Sequence, residues 1–121
     1  MADVVSSQHR LIASNRVEGT AVYNRAGERL GSIAYFMVDK ASGQADYAVL
    51  SFGGLFGLGS EHYPLPWKVL DYDVDKGGYV VDLDKDVLDK APRYHSEDQP
   101  DWDRSYDERI YGYYGLAYPI L

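Results

Sequence analysis

The 121-residue sequence contains no cysteine, which excludes disulfides, zinc–thiolate centres and thiol nucleophiles. Nowhere do about 20 apolar residues follow one another, so no membrane-crossing helix is expected. The first nine residues lack the basic start and apolar run of a secretory signal, which makes the cytoplasm the expected compartment. A basic excess is missing too: 12 Lys and Arg stand against 19 Asp and Glu, for a formal charge of -7. A chain of that sign repels nucleic-acid phosphates and anionic lipid, so neither nucleic acid nor direct membrane insertion is expected. What is present is 45% hydrophobic and 26% charged residues, the balance of one small globular domain. A chain of this length buries roughly two thirds of its unfolded surface, enough for a core without metal or disulfide staples.

Long helical runs are scarce, and turn signals recur about every ten residues between stretches that alternate apolar with polar or small side chains. Thr20 to Tyr23 and Arg29 to Asp39 read as a hairpin joined at Asn24-Arg25-Ala26-Gly27-Glu28, where Gly27 takes positive φ cheaply. Lys40 to Gly43 is the next turn. Residues 44–52 follow as a strand with Ala45, Tyr47 and Val49 on one face and Asp46, Ala48, Leu50 and Phe52 on the other, the more apolar face being expected in the core. Pro64 and Pro66 confine the extended piece around His62 and Tyr63 to a sheet edge. After the turn at Asp75 to Gly78, Tyr79 to Leu83 alternates again. Asp84 caps one short helix over Lys85 to Lys90, stopped by Pro92. Ile33, Met37, Tyr47, Val49, Val81 and Leu83 are core candidates. Closure of these strands into a small barrel would remove exposed edges.

The ordered series Gly27 to Ile33, Val38-Asp39 then Ser42-Gly43, Tyr47 to Gly54, Leu55 to Gly59, Pro64-Leu65-Pro66-Trp67, and Val87-Leu88 before Ala91-Pro92 resembles the PRC-barrel family. The resemblance covers residues 14–94. It implies a small, mostly antiparallel barrel and a role in protein contact rather than catalysis. The family includes the cytoplasmic domain of the photosynthetic reaction centre H subunit, the C-terminal domain of a ribosome-maturation factor that grips a small-subunit ribosomal protein, and stand-alone bacterial proteins. The membrane helix of the first and the RNA-associated domain of the second have no counterpart here, so neither specific role transfers.

Three constellations invite a chemical reading. Asp71-x-Asp73-x-Asp75, followed by Gly77 and Asp82, resembles a calcium loop with carboxylates at alternate positions. Yet its sixth position is Lys76 rather than Gly, its twelfth is Asp82 rather than Glu, and its flanks read as strands. A solvated strand face that blunts edge pairing is the simpler account. The glycine-rich residues 53–59 lack the Lys-Ser or Lys-Thr of a phosphate loop and no helix follows them. Leu55, Phe56 and Leu58 there are better read as lying over the barrel or contacting another chain. His62, beside Glu61 and two residues after Ser60, suggests a nucleophile only if the fold converges the three with an oxyanion seat, and a surface or strand-edge histidine is the plainer expectation. Trp67 reads as an anchor at the barrel rim.

Residues 1–13 form a flexible N-terminal segment by this reading, residues 14–94 the barrel, and residues 95–121 an extension that is acidic first and aromatic afterwards. Residues 94–121 carry six acids against two bases and six of the 12 tyrosines. Residues 96–103, with Pro100, are expected to be extended and solvated. From Ser105 onward the aromatic surface is too large to stay in water, and it docks either on its own barrel or on another chain. Trp102, Tyr106, Tyr111, Tyr113, Tyr114 and Tyr118 join Leu55, Phe56 and Leu58 as interaction candidates. The expectation is an all-β protein, a small mostly antiparallel barrel of about six strands with one short helical turn. It would act without catalytic residues, cofactor or metal as a protein-interaction or assembly module, forming a homodimer with itself or engaging a protein partner. The alternative is a small-ligand or cation-binding barrel using Asp71, Asp73 and Asp75 or the glycine-rich loop at residues 53–59.

Overall fold

The computed structural model describes residues 11–51, 61–95 and 97–116. Its first hairpin is set by the turn after β1 (Ala21–Asn24), where the Asn24 side chain does two jobs. Its Oδ1 accepts from the Glu28 amide at 2.9 Å and its Nδ2 donates to Glu28 Oε1 at 2.7 Å. Gly27 sits at φ 89°, a left-handed backbone that lets the chain reverse without a Cβ clash. The returning strand β2 (Arg29–Val38) pairs from Ser32 onward with the whole of β3 (Ala45–Ser51), and the tight turn between them is held by Asp39 Oδ1, which accepts from the amides of Ala41 and Ser42.

Strand β4 (Glu61–Pro66) pairs antiparallel with β3, and a single 3-10 turn over Trp67–Val69 leads into β5 (Asp71–Asp73). β6 (Gly78–Val81) pairs with β5 and, in parallel, with β1. The helix α2 (Lys85–Asp89) starts where expected, with Asp84 Oδ1 accepting from the Val87 amide at 3.0 Å. A one-turn α1 (Ser14–Val17), the two-residue β7 (Tyr94–His95) and α3 (Arg104–Tyr113) complete the chain. The strand order is β5-β6-β1-β2-β3-β4-β7.

The sheet curls around one core in barrel fashion, but the expected closure is not reached. Among the described residues β5 and β7 remain as ends. Both ends are short, and β5 is an aspartate strand, which protects an edge by brevity and charge instead of by pairing. The prolines of β4 also sit differently from the expectation. β4 is an inner strand, yet β7 covers it only at Glu61 and His62, ahead of Pro64 and Pro66. The missing proline donors therefore fall where β4 has a single neighbour.

The core inside the curl is built from Val22, Leu30, Ile33, Leu50, Leu65, Val81 and Leu88, all essentially out of solvent. Trp67 closes one end against Phe36 and Tyr79, with ring centroids 5.8 Å apart in each case. Of the core candidates, Ile33 and Val81 lie in this cluster, Leu83 is partly buried against it, and Tyr47 and Met37 belong to a second one. Val49 is fully buried. Val81→Asp places a carboxylate without a partner in that core, at a cost of several kcal/mol, about the stability of a domain of this size. Loss of the cooperative melting transition by circular dichroism is the expected result, and an unchanged melt would place Val81 outside the core.

Candidate interaction surface

β3 has no solvent side. Ala48 and Leu50 face the curled core, while Tyr47, 2% exposed, emerges on the opposite face beside Met37, its register partner on β2. Both faces of the strand that alternation sorts into core and surface are thus buried. The cover on the outer face is the C-terminal extension.

The segment expected as an aromatic run of no stated structure forms α3. Asp103 Oδ1 accepts from the Tyr106 amide at 2.9 Å at the N-terminus. At the C-terminus, Gly115 at φ 75° follows the Tyr114 cap, the Gly115 amide donates to the Gly112 carbonyl, and the Leu116 amide donates to the Tyr111 carbonyl. This is the paired 5→2 and 6→1 closure that a left-handed glycine permits. Leu116 then packs on the same cluster as Ile110 and Tyr111.

Three tyrosine hydroxyls hold this helix to the barrel. Tyr47 donates to Asp107 Oδ1 at 2.5 Å, Tyr111 donates to the Asp46 carbonyl at 3.0 Å, and Tyr113 donates to the Val87 carbonyl at 2.6 Å. The first is a charge-assisted bond to a buried carboxylate, stronger than a neutral pair. Asp46 itself is held above the usual carboxylate range, chiefly by burial and then by the nearby charges of Asp39 and Asp107. Trp102 lies against Tyr47, Tyr94 and Tyr106, with centroid distances of 5.2, 5.8 and 5.5 Å. The expectation that the chain stays solvated up to Asp103 therefore fails at Trp102. Its ring has apolar surface to cover, and its backbone takes a left-handed φ of 56° to reach it.

Tyr94 bonds through its hydroxyl to Tyr35, and His62 sits between those two rings at 5.5 and 5.7 Å. His62 is buried rather than at the surface. Burial pushes the Tyr106 hydroxyl up to about 12, with Arg109 acting in the opposite sense, and burial likewise holds Tyr94 and Tyr114 above the ordinary tyrosine value.

Of the interaction candidates, Tyr111 is buried on the chain's own sheet, Trp102, Tyr106 and Tyr114 are half-buried against it, and Tyr113 is 39% exposed. Leu55, Phe56, Leu58 and Tyr118, with the rest of the glycine-rich loop, lie outside the described residues. The aspartates of β5 are taken up locally. Asp73 Oδ1 accepts from the amides of Asp75 and Lys76, and Asp71 lies 3.6 Å from Arg25. Among the described residues no three His, Asp or Glu side chains converge as a metal site would require.

Sequence reasoning singled out no cationic feature, yet one exists. Lys90, Arg93 and Arg109, with Asp89 as the one acid and Tyr113 beside them, line an open depression of about 650 Å³ between the end of α2 and the end of α3. Arg93 is fixed there by Glu61 Oε1 at 2.9 Å and the Asp89 carbonyl at 2.9 Å.

The PRC-barrel domain model matches residues 9–88. The curled, mostly antiparallel sheet, filled core and capping helix α2 all fall within or beside that span, and the chain belongs to the PRC-barrel domain family. No curated protein matches it. The helix α3 and its cover over Tyr47 lie beyond the matched residues.

Two measurements check this cover. Ile110→Ala removes a fully buried side chain and is expected to lower unfolding stability by about 2–5 kcal/mol in a denaturant titration; a change within error would mean that α3 is not seated on the sheet. The tyrosines supply the pH test. The Tyr94, Tyr106 and Tyr114 hydroxyls titrate higher in the folded state than in the unfolded chain, so the stability they contribute is complete below pH 10.0 and is lost as pH rises through the folded value, about 12 for Tyr106. Melting temperature is expected to fall steeply between those values, and Tyr106→Phe to flatten the fall.

Proposed function

We propose that this protein is a non-enzymatic PRC-barrel module that acts through its outer surface by binding protein, and that its partner is first of all a second copy of itself. The observation that carries the reading is the filled interior. Leu30, Ile33, Leu50, Leu65 and Val81 pack together within the curled sheet, which supports a module that works through its surface. The depression beside Lys90 and Arg109 lies outside, is open, and is lined mostly by charged side chains. Small-ligand sites are enclosed and mostly apolar, whereas surfaces of this kind suit extended, polar contact with another chain. The family model supports a small module of this sort.

The half-buried aromatic residues of the extension shift in role under this reading. Most of their area is used in cis to hold α3, which leaves the barrel with a stable outer wall, and Tyr113 is the one whose exposed ring adjoins the charged depression. Sedimentation velocity over a range of micromolar concentrations tests the proposal. A reversible monomer–dimer equilibrium is the expected result, and a monomer at every concentration and salt would overturn self-association.

A further inference from the structure

The charge on this molecule is divided along α3. At its C-terminal end the depression gathers Lys90, Arg93 and Arg109, with Asp89 the one acid in its lining and Arg93 already paired with Glu61, so Lys90 and Arg109 are the cations it offers. Arg109 has Ser105 and Tyr113 four residues before and after it, so its helix offers it no carboxylate, in contrast to the Arg104–Glu108 pair at 3.0 Å one turn away. Lys90 and Arg109 join no ion pair among the described residues, although acids outnumber bases in the chain. Tyr113 has its hydroxyl tied to the Val87 carbonyl, which fixes its ring beside these cations.

At the other end, the connector ahead of α3 carries Glu97, Asp98 and Asp101, all exposed and in no ion pair among the described residues. Asp103 is occupied as the helix cap. The ten residues of α3 separate the two ends by about 15 Å.

The geometry points to an isologous dimer in which the acidic connector of each copy, Glu97, Asp98 and Asp101, lies over the Lys90–Arg93–Arg109 depression of the other. A two-fold axis crossing α3 brings the opposite ends of two antiparallel helices together and makes the same contact twice. The two copies carry -7 each. That general repulsion acts between centres tens of ångströms apart and is screened beyond about 8 Å at physiological salt, whereas ion pairs in contact are screened far less. Complementary patches therefore select this one mutual orientation. The assignment rests on the self-association reading above and specifies its surface.

The test uses full-length protein and two surface variants, each confirmed as folded by circular dichroism. Lys90→Glu with Arg109→Glu makes both patches acidic; Glu97→Lys with Asp98→Lys and Asp101→Lys makes both basic. In sedimentation at ~0.1 M salt the wild type is expected to dimerise, and its dissociation constant to rise at least tenfold at ~0.5 M. Each variant alone is expected to be monomeric, and an equimolar mixture of the two to recover the dimer, since both reciprocal contacts are then restored. A wild-type dimer that persists in both variants overturns this surface and leaves self-association standing. A wild-type monomer throughout overturns both. Titration of the monomer with inorganic phosphate that perturbs Arg109 with no dimer formed would assign the depression to a small anion and overturn the proposal.

Discussion

The structure turns on the burial of β3 from both sides. A strand in a curled antiparallel sheet ordinarily gives one face to the core and one to water. Here Ala48 and Leu50 take the core side and Tyr47 takes the other, so a large aromatic ring stands on the outside of the sheet beside Met37. Left bare, those side chains would form a sticky band along the longest ladder in the molecule. The chain answers with α3, and most features of residues 97–116 follow from that need. Trp102 turns back through a left-handed backbone to lie on Tyr47, Asp107 enters the interface because Tyr47 has a proton to give it, and Gly115 stops the helix so that Leu116 can fold down on the same cluster.

The polar groups of this interface are matched in part: three tyrosine hydroxyls find acceptors across it, while those of Tyr106 and Tyr114 are buried without a hydrogen-bond partner among the described residues. Tyr47, Tyr111 and Tyr113 each place the hydroxyl on an acceptor across the interface while their rings supply the buried area. The bonds run both ways between helix and barrel, from β3 to α3 at Asp107 and from α3 to β3 at Asp46. That reciprocity fixes the helix in rotation as well as in position, since turning it by one residue would lose both. It also shows why an acidic residue is tolerated in the interface: a carboxylate accepting a short phenol bond keeps its charge solvated by the protein itself.

Much of this was legible in the residues. The hairpin at Asn24 to Glu28, the Asp84 cap, the inner positions Ile33 and Val81 and the family series from Gly27 to Pro92 all depend on local turn chemistry and period-two alternation, which a single sequence carries. Closure of the sheet and the place of β4 were harder, because they are decided by which strands find one another over long separations. The extension was half legible. Tyr106, Ile110, Tyr113 and Tyr114 have helical spacing and Asp103 stands at the cap, but Gly112 and Gly115 look like interruptions until Gly115 is seen to be the helix stop itself. The choice between its own barrel and another chain had no local signal, since it depended on Tyr47 facing outward. The cationic depression was invisible for a similar reason: Lys90, Arg93 and Arg109 are spread through an acidic stretch and meet only because α3 folds back over α2.

That last convergence links the cover to function. Under the proposed self-association the surface is what this fold offers a second copy, and the residues matched to the family end before α3, the element that reshapes that surface. By laying α3 across the sheet, the extension hides an apolar band that would bind indiscriminately and creates in its place a polarised one, cationic at the helix end and acidic at the connector. Apolar contact gives affinity with little orientation, whereas charges at fixed separation discriminate between orientations of the same two bodies. Under the proposed dimer, the extension exchanges a nonspecific surface for one that selects a second copy by charge pattern, and it does so with the same residues that make the sheet's outer wall.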